Sequence, residues 1–368
     1  MIEIILYIFI FKLRNRVGIQ MNISAKQFFT NILNGMAAGI VVALVPNAML
    51  GELFKYLAGY HPVFTSLGQL LIIFQFCLSA LAGITISQQF KFNGLQTAIL
   101  SGASVLGSGA VQFNGKGFMF VGIGDIINMM LTVALSAFVL ILLGNKMGSL
   151  NIVFLPLFAG ILPGFIGSLT LPYVKQFTGA IGQVIQHFTT LNPLLMCILI
   201  AVSYSLLMAT PISLVAIATV ISLSGLGSGA ANLGIVACCY TFIFGSLKVN
   251  DRGTVLTLII GAAKMMMPVY FKNPLIALPL VINGIFAGLC AYFFNVQGTP
   301  MSAGFGYTGL VGPINALKFM EGSFAANILS LLLAYVIIPL PIAFVTHIVL
   351  KKIMPKYQDS LYKFTPQQ

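Results

Sequence analysis

Charge is what this sequence has least of. Of its 368 residues only 7% are charged, and Asp and Glu together number six. A water-soluble domain carries about 25% charged residues, because its surface must face solvent. Here 59% of residues are hydrophobic, and a chain of this size cannot cover a globule with the polar groups that remain. Its solvent is largely lipid. Catalytic signatures are missing too: no GxxxxGK[ST], no HExxH and no GxSxG occurs. The string GFGYTG (Gly304–Gly309) has the letters of a dinucleotide fingerprint, but it follows no strand of a βαβ unit. The five cysteines (Cys77, Cys197, Cys238, Cys239, Cys290) lie in apolar runs without metal-ligand spacing and read as small buried hydrophobes. No catalytic residue, metal site or cofactor is expected. No stretch reads as a water-soluble domain, so any chemistry belongs inside the membrane body or with a partner.

What is there is a series of long apolar runs. A helix needs about 20 apolar residues to cross the hydrocarbon layer. Runs of that kind centre on Leu33–Leu50, Leu67–Ile86, Leu95–Val111, Ile126–Leu143, Ile152–Thr170, Leu194–Met208, Ile212–Leu223, Ile235–Phe244, Leu256–Phe271, Ile276–Phe294 and Phe324–Leu350. The 72 residues between Lys175 and Lys248 carry no formal charge. The runs are too long and continuous for barrel strands. The expected fold is all-α: a polytopic membrane protein of about ten transmembrane helices, some interrupted or re-entrant.

The net charge of +12 gathers at the two ends. Lys12, Arg14, Arg16 and Lys26 precede the first run, and Lys351, Lys352, Lys356 and Lys363 follow the last. The positive-inside rule puts both termini in the cytoplasm and requires an even number of crossings. These charges are topology signals beside lipid, and nucleic acid is not an expected partner. Met1–Ile10 is apolar and a basic cluster follows it, the reverse of a signal peptide. The first 20 residues are thus either an interfacial anchor or lie upstream of a start at Met21. The expected organisation is an N-terminal extension (1–20), a membrane domain (21–354) and a cytoplasmic tail (355–368).

Three glycine-rich stretches interrupt the apolar runs: Ser101–Gly117, Leu223–Gly234 and Gly298–Pro313. The first two share the pentapeptide LGSGA, at Leu106–Ala110 and Leu226–Ala230, and Gln112 and Asn232 follow at the same offset. Small residues let helices pack closely in membranes. Non-helical backbone at membrane depth is tolerated where it is buried in protein or lines a wet cavity, and paired interruptions point to a transporter's binding site. Either helix packing or a duplicated binding element fits these stretches. On the second reading Ser108, Gln112, Asn114, Ser228, Asn232, Ser302 and Thr308 offer hydrogen bonds to a small polar solute. Lys264, in the apolar run IIGAAKMMMPVY, either pairs with an acid, holds an anionic group or snorkels. Asp125 reads as a helix cap and Glu52 as a rim residue. Lys318 and Glu321 read as a local pair. His61 is placed in a loop, His187 along the interface and His347 near the headgroups.

The segments Asn34–Lys55, Val105–Phe118 and Pro300–Leu317 (PMSAGFGYTGLVGPINAL) together make the chain resemble the IIC-like membrane proteins of the sugar phosphotransferase system, among them the perfringolysin O regulator-like proteins. The resemblance spans Met21 to about Met354. It implies an α-helical permease of bacterial plasma membranes, a homodimer, that moves a sugar-like solute by alternating access and works with separate IIB and IIA phosphotransfer proteins. At most such a chain is the membrane subunit of a phosphorylating system. One departure stands out: GITIS (Gly83–Ser87) has no glutamate where glucose-type members carry GITE, which puts sugar phosphorylation in question and leaves transport intact. The alternative function is a membrane regulator or sensor that controls gene expression through a partner docked on the tail or loops.

Overall fold

The computed structural model describes residues 23–144 and 148–364. The proposed N-terminal extension lies outside these residues. By length and composition six helices can cross a membrane: Ala25–Leu57 (α1), Ile126–Leu143, Asn151–Phe188, Gly225–Ser246, Pro274–Phe293 and Phe324–Ile353. A seventh results if Val63–Phe76 and Leu78–Gln89 count as one broken span, and the apolar helix Pro193–Met208 is shorter. The other runs do not form full spans. Gly94–Ser108 is a helix of 15 residues, Ile212–Leu223 keeps only the 7-residue helix Leu214–Val220, and Leu256–Phe271 is split into Arg252–Ile259, Ala263–Met266 and Met267–Lys272. The chain is a multi-pass, almost wholly helical membrane protein.

Two compact units divide it. The first takes Met1–Ala43 and Phe76–Val174; the second takes Leu44–Gln75 and Lys175–Pro366. In the first, small residues let helices touch backbone to backbone. A Cβ on Gly35 would lie 2.4 Å from the Ile86 Cα, and one on Gly39 would lie 2.6 Å from the Ala82 Cα. The Thr85 hydroxyl closes this seam by donating to the Gly35 carbonyl at 2.7 Å. Gly94–Ser108 starts in a capping box formed by Asn93 and Gln96. It ends where Gly109 turns left-handed (φ 68). A short antiparallel hairpin follows, Val111–Phe113 (β1) against Phe118–Phe120 (β2); these are the only paired strands among the described residues. Ile126–Leu143 begins at Asp125, whose carboxylate accepts from the Asn128 N–H at 2.9 Å, the cap expected from sequence. Asn128 then reaches sideways: its Nδ2 donates to the Gly107 and Gly167 carbonyls, and its Oδ1 accepts from the Thr170 hydroxyl at 2.7 Å. One buried amide thus ties three helices together.

The second unit is built around Gly225–Ser246 (α9), which is buried along almost its whole length. It packs on Pro193–Met208 (α7), where Gly234 lies against the Ala201 backbone. Gly284 and Gly288 of Ala277–Phe293 (α12) close on Val202 and Ile198 in the same manner. Polar side chains pin these seams. Ser205 donates to the Leu280 carbonyl at 3.0 Å, and Asn283 donates to the Thr241 hydroxyl at 2.8 Å. Such contacts replace the hydrophobic drive that lipid does not supply between helices.

The segment after Met354, expected as a free tail, packs into this unit as far as it is described. Tyr357 and Tyr362 are fully buried. The Tyr362 ring covers Gly245, where a Cβ would come within 2.3 Å of it. Asn250 accepts from the Phe364 N–H at 2.7 Å and donates to the Tyr362 carbonyl at 2.8 Å, and Asn273 donates to the Leu361 carbonyl at 2.6 Å. His347, expected at the headgroups, is buried beneath this strap and joins Tyr357 at 3.1 Å and Asp359 at 2.8 Å. Lys351 also pairs with Asp359. Burial alone would raise the Asp359 carboxyl, but the hydrogen bonds and charges of Lys351 and His347 outweigh it and hold it below the ordinary carboxylate value. Burial pushes the Tyr357 hydroxyl up to about 12. Aromatic rings alternating with polar residues, rather than length, make the segment bind. Glu52 pairs with Lys55 at 3.4 Å, whereas Lys318 and Glu321 form no ion pair.

Candidate functional site

The third glycine stretch is the longest irregular buried segment of the second unit. After α12 the chain leaves the helix at Asn295 (φ 47) and runs non-helically to Tyr307. It lies across the start of α9. Gly225 and Gly298 exchange both backbone hydrogen bonds, at 2.8 and 3.0 Å. Ser228 donates to the Thr299 carbonyl at 2.8 Å. Ser302 accepts from the Thr299 N–H at 2.9 Å and returns a bond to the Thr299 carbonyl at 2.9 Å. Ser228 and Ser302 are buried, so these bonds satisfy backbone groups that water does not reach.

Asn232, two turns into the buried part of α9, meets the same loop one step later. Its Oδ1 accepts from the Gly306 N–H at 3.0 Å, while its Nδ2 has no partner in the protein. Flipping the amide would set its NH2 against the Gly306 N–H, so the orientation is fixed by that donor. Gly306 is left-handed (φ 62), and a Cβ there would lie 2.7 Å from the Ile235 side chain. On its carbonyl side Gly306 accepts from the Gly312 N–H at 3.2 Å. The Tyr335 hydroxyl lies 3.0 Å from where a Gly312 Cβ would stand, and it too has no partner. Thr308 donates to the Gly261 carbonyl at 3.4 Å. Tyr307 stacks on Tyr240 with ring centroids 5.8 Å apart and donates to the Leu258 carbonyl at 3.2 Å.

Lys264 sits three residues beyond Gly261, at the break between two short helical pieces. It pairs with no acid. Its ammonium donates to the Thr210 and Ile212 carbonyls, both at 2.8 Å, and so ties down the non-helical turn that follows α7. Of the three readings open from sequence, the structure supports none as written: the lysine holds backbone carbonyls near a helix C-terminus, where a cation is favourable.

Four expected residues, Ser228, Asn232, Ser302 and Thr308, therefore gather on one loop of the second unit. Ser108, Gln112 and Asn114 belong to the first unit and serve its local structure. Ser108 is buried, donates to the Val105 carbonyl at 2.8 Å and accepts from the Ala110 N–H at 3.1 Å. Gln112 is exposed in β1 opposite Met119. Asn114 makes the hairpin turn, accepting from the Lys116 and Gly117 N–H groups at 3.0 and 2.9 Å. The expected equivalence of Gln112 and Asn232 does not hold: one is exposed on a strand, the other buried in a helix. A β-turn signal, NGKG, separates the two cases and could have been read from the sequence.

Sequence reasoning missed Tyr335. The residue that frees it is Pro339, four positions on, which has no N–H to give the Tyr335 carbonyl. The backbone forms a π-helical turn over Leu333–Ile337, with the Ile338 N–H reaching the Leu333 carbonyl at 3.1 Å. The Tyr240 hydroxyl donates to the Tyr335 carbonyl instead, at 2.9 Å. Single π turns of this kind are frequent at functional sites.

The family model described as Phosphotransferase system, EIIC matches residues 30–364, which includes the packed C-terminal strap. No curated protein and no solved structure matches the chain. With most of the sequence under one family model, and helices apolar enough for a multi-pass membrane protein, the chain belongs to the phosphotransferase-system EIIC family and is a membrane permease of that system.

Proposed function

We propose that this permease moves a small polar solute, sugar or a close relative, by alternating access, and that it works with separate IIB and IIA proteins. The observation that carries the reading is Asn232. Its Nδ2 is an unpaired donor on a side chain only 1% exposed, beside non-helical backbone. Leaving a buried donor unmade costs about 1–3 kcal/mol, and a solute oxygen at this point removes that cost. Ser228, Ser302 and Thr308 hold the loop that presents it, and Lys264 steadies the neighbouring break. Family membership supports a bacterial plasma membrane location with cytoplasmic termini, and a homodimer. The regulator reading placed its docking surface on the tail. Burial of Tyr357 and Tyr362 removes much of that surface.

Uptake of radiolabelled hexoses into vesicles, with and without IIA and IIB proteins, tests the proposal. Asn232→Leu is expected to weaken half-saturation about 5- to 150-fold, the effect of one lost buried hydrogen bond. Gln112→Leu should leave uptake near the wild-type level. Unchanged uptake by well-expressed Asn232→Leu protein refutes the site.

A further inference from the structure

We infer that Tyr335 is a second solute-binding residue, and that with Asn232 it selects an uncharged solute rich in hydroxyl or carbonyl oxygens. The inference rests on the transport reading above and adds a residue and a substrate class to it.

Two unpaired polar groups flank a single glycine. On the N–H side of Gly306 stands Asn232, its Oδ1 committed and its Nδ2 free. On the carbonyl side stand Gly312 and the free Tyr335 hydroxyl. Both side chains are nearly closed to solvent, at 1% and 2% exposure. Buried polar groups are paired in the great majority of cases, so two orphans on one loop call for a common explanation. An amide NH2 can only donate, and a phenol O–H can donate. Their shared complement is an acceptor oxygen with two lone pairs, as in a hydroxyl or carbonyl. The surroundings keep the two groups in place. Tyr240 holds the Tyr335 backbone at 2.9 Å, and the π turn over Leu333–Ile337 sets the tyrosine at this level of its helix. Gly312 leaves the space beside the phenol: a Cβ there would lie 2.1 Å from the Gly306 carbonyl oxygen and 3.0 Å from the Tyr335 oxygen.

The charge inventory narrows the class. Of the described acids, Glu52 pairs with Lys55, Asp125 and Asp251 cap helices, Asp359 pairs with His347 and Lys351, and Glu321 is exposed. None is placed to balance a cationic solute. The nearest described cation on these elements, Lys264, already donates to two carbonyls. An ion brought to this loop would lose its hydration without a counter-charge, a heavy cost at low dielectric. A neutral polyol or sugar loses only hydroxyl hydration, which the two donors return.

The test is binding to the purified full-length protein in nanodiscs, followed by thermal shift and calorimetry. The probes are glucose, galactose and mannitol as uncharged compounds, with glucuronate and glucosamine as charged ones. Wild-type protein should bind at least one uncharged probe more tightly than either charged one. Tyr335→Phe removes a single oxygen. It should weaken the uncharged probe about tenfold, the loss of one hydrogen bond to a buried donor, and at the same time raise the melting temperature of the unliganded protein. A purely structural tyrosine would give the opposite pattern, a lower melting temperature and unchanged affinity. Combined with Asn232→Leu, the loss should be less than the sum of the two, because both groups serve one ligand. Equal affinity of Tyr335→Phe and wild type overturns the role of Tyr335 and leaves the transport reading standing. Tighter binding of a charged probe overturns the substrate class. No binding of any probe to wild type overturns both. Should Tyr335→Phe fail to fold, the ultraviolet difference spectrum of the wild-type tyrosines on sugar addition decides: a perturbation is expected, and a flat spectrum refutes the contact.

Discussion

At Leu106–Ala110 the pentapeptide LGSGA closes a helix; at Leu226–Ala230 it opens one. In the first copy Ser108 is the last helical residue, and Gly109 takes the left-handed conformation that caps it. In the second the break comes earlier, at Ser222 (φ 52) and Gly225 (φ 58), and all five residues that follow are helical. The flanks differ in their local preferences. Val111-Gln-Phe with the NGKG turn favours a hairpin, whereas Ala231-Asn-Leu-Gly-Ile-Val continues a buried helix. The partners differ as well. Gly109 faces the flexible end of Leu171, while Gly229 faces the backbone of the glycine loop. A shared string of small residues fixes neither helix nor turn. It permits close approach and lets the neighbours decide.

The largest contrast should come from alanine at the two glycines of the shared motif. A Cβ on Gly229 would fall 1.8 Å from the Val296 carbonyl oxygen, and backbone cannot step aside. Gly229→Ala is expected to cost about 3 kcal/mol or more, as overpacking does when nothing yields, and to lower the folded yield in detergent sharply. Gly109→Ala is expected to cost less, about 1–2 kcal/mol, mostly for a left-handed alanine. Its other contact, 2.4 Å to a Leu171 methyl, is relieved by a rotamer change. Thermal unfolding of both variants in one lipid mixture checks the order; equal losses would refute the distinction between backbone and side-chain neighbours.

A smaller effect separates the far end of α9 from its start. There the C-terminal strap is held by Asp359, whose carboxyl lies below its ordinary value. A lowered folded value means the ionised carboxylate stabilises the fold above the unfolded value, about 3.9. That contribution is lost as pH falls through the folded value. Asp359→Asn should therefore be less stable than wild type at neutral pH, by about 1 kcal/mol or less, and the difference should vanish at acid pH. A difference that persists unchanged to the acid end would assign the effect to packing instead.

The membrane class, the helical architecture, the position of Ile126–Leu143 and the cap at Asp125 were all legible in the sequence. Each depends on local composition: a long apolar run, or an acid ahead of it. The candidate site was legible in part. Asn232, Ser228, Ser302 and Thr308 stood out as polar residues in glycine-rich apolar surroundings, and they meet on one loop. Gln112 and Asn114 stood out for the same reason and lie in an exposed hairpin, because the NGKG turn carries them out of the helix. Tyr335 did not stand out. Its interest comes from a hydroxyl left unpaired by the packing of residues far apart in sequence.

By itself, then, the sequence determined the solvent of this protein, the helical response to that solvent and the residue types available for polar contacts. In lipid every backbone group must be satisfied internally, and an apolar run of sufficient length does so by forming a helix. Only the tertiary structure decided which glycine ends a helix and which begins one, that the last residues form a strap, and which buried donors remain free. Those outcomes depend on distances between segments such as Asn232 and Gly306, or Gly312 and Tyr335. No local preference of the chain encodes such a distance.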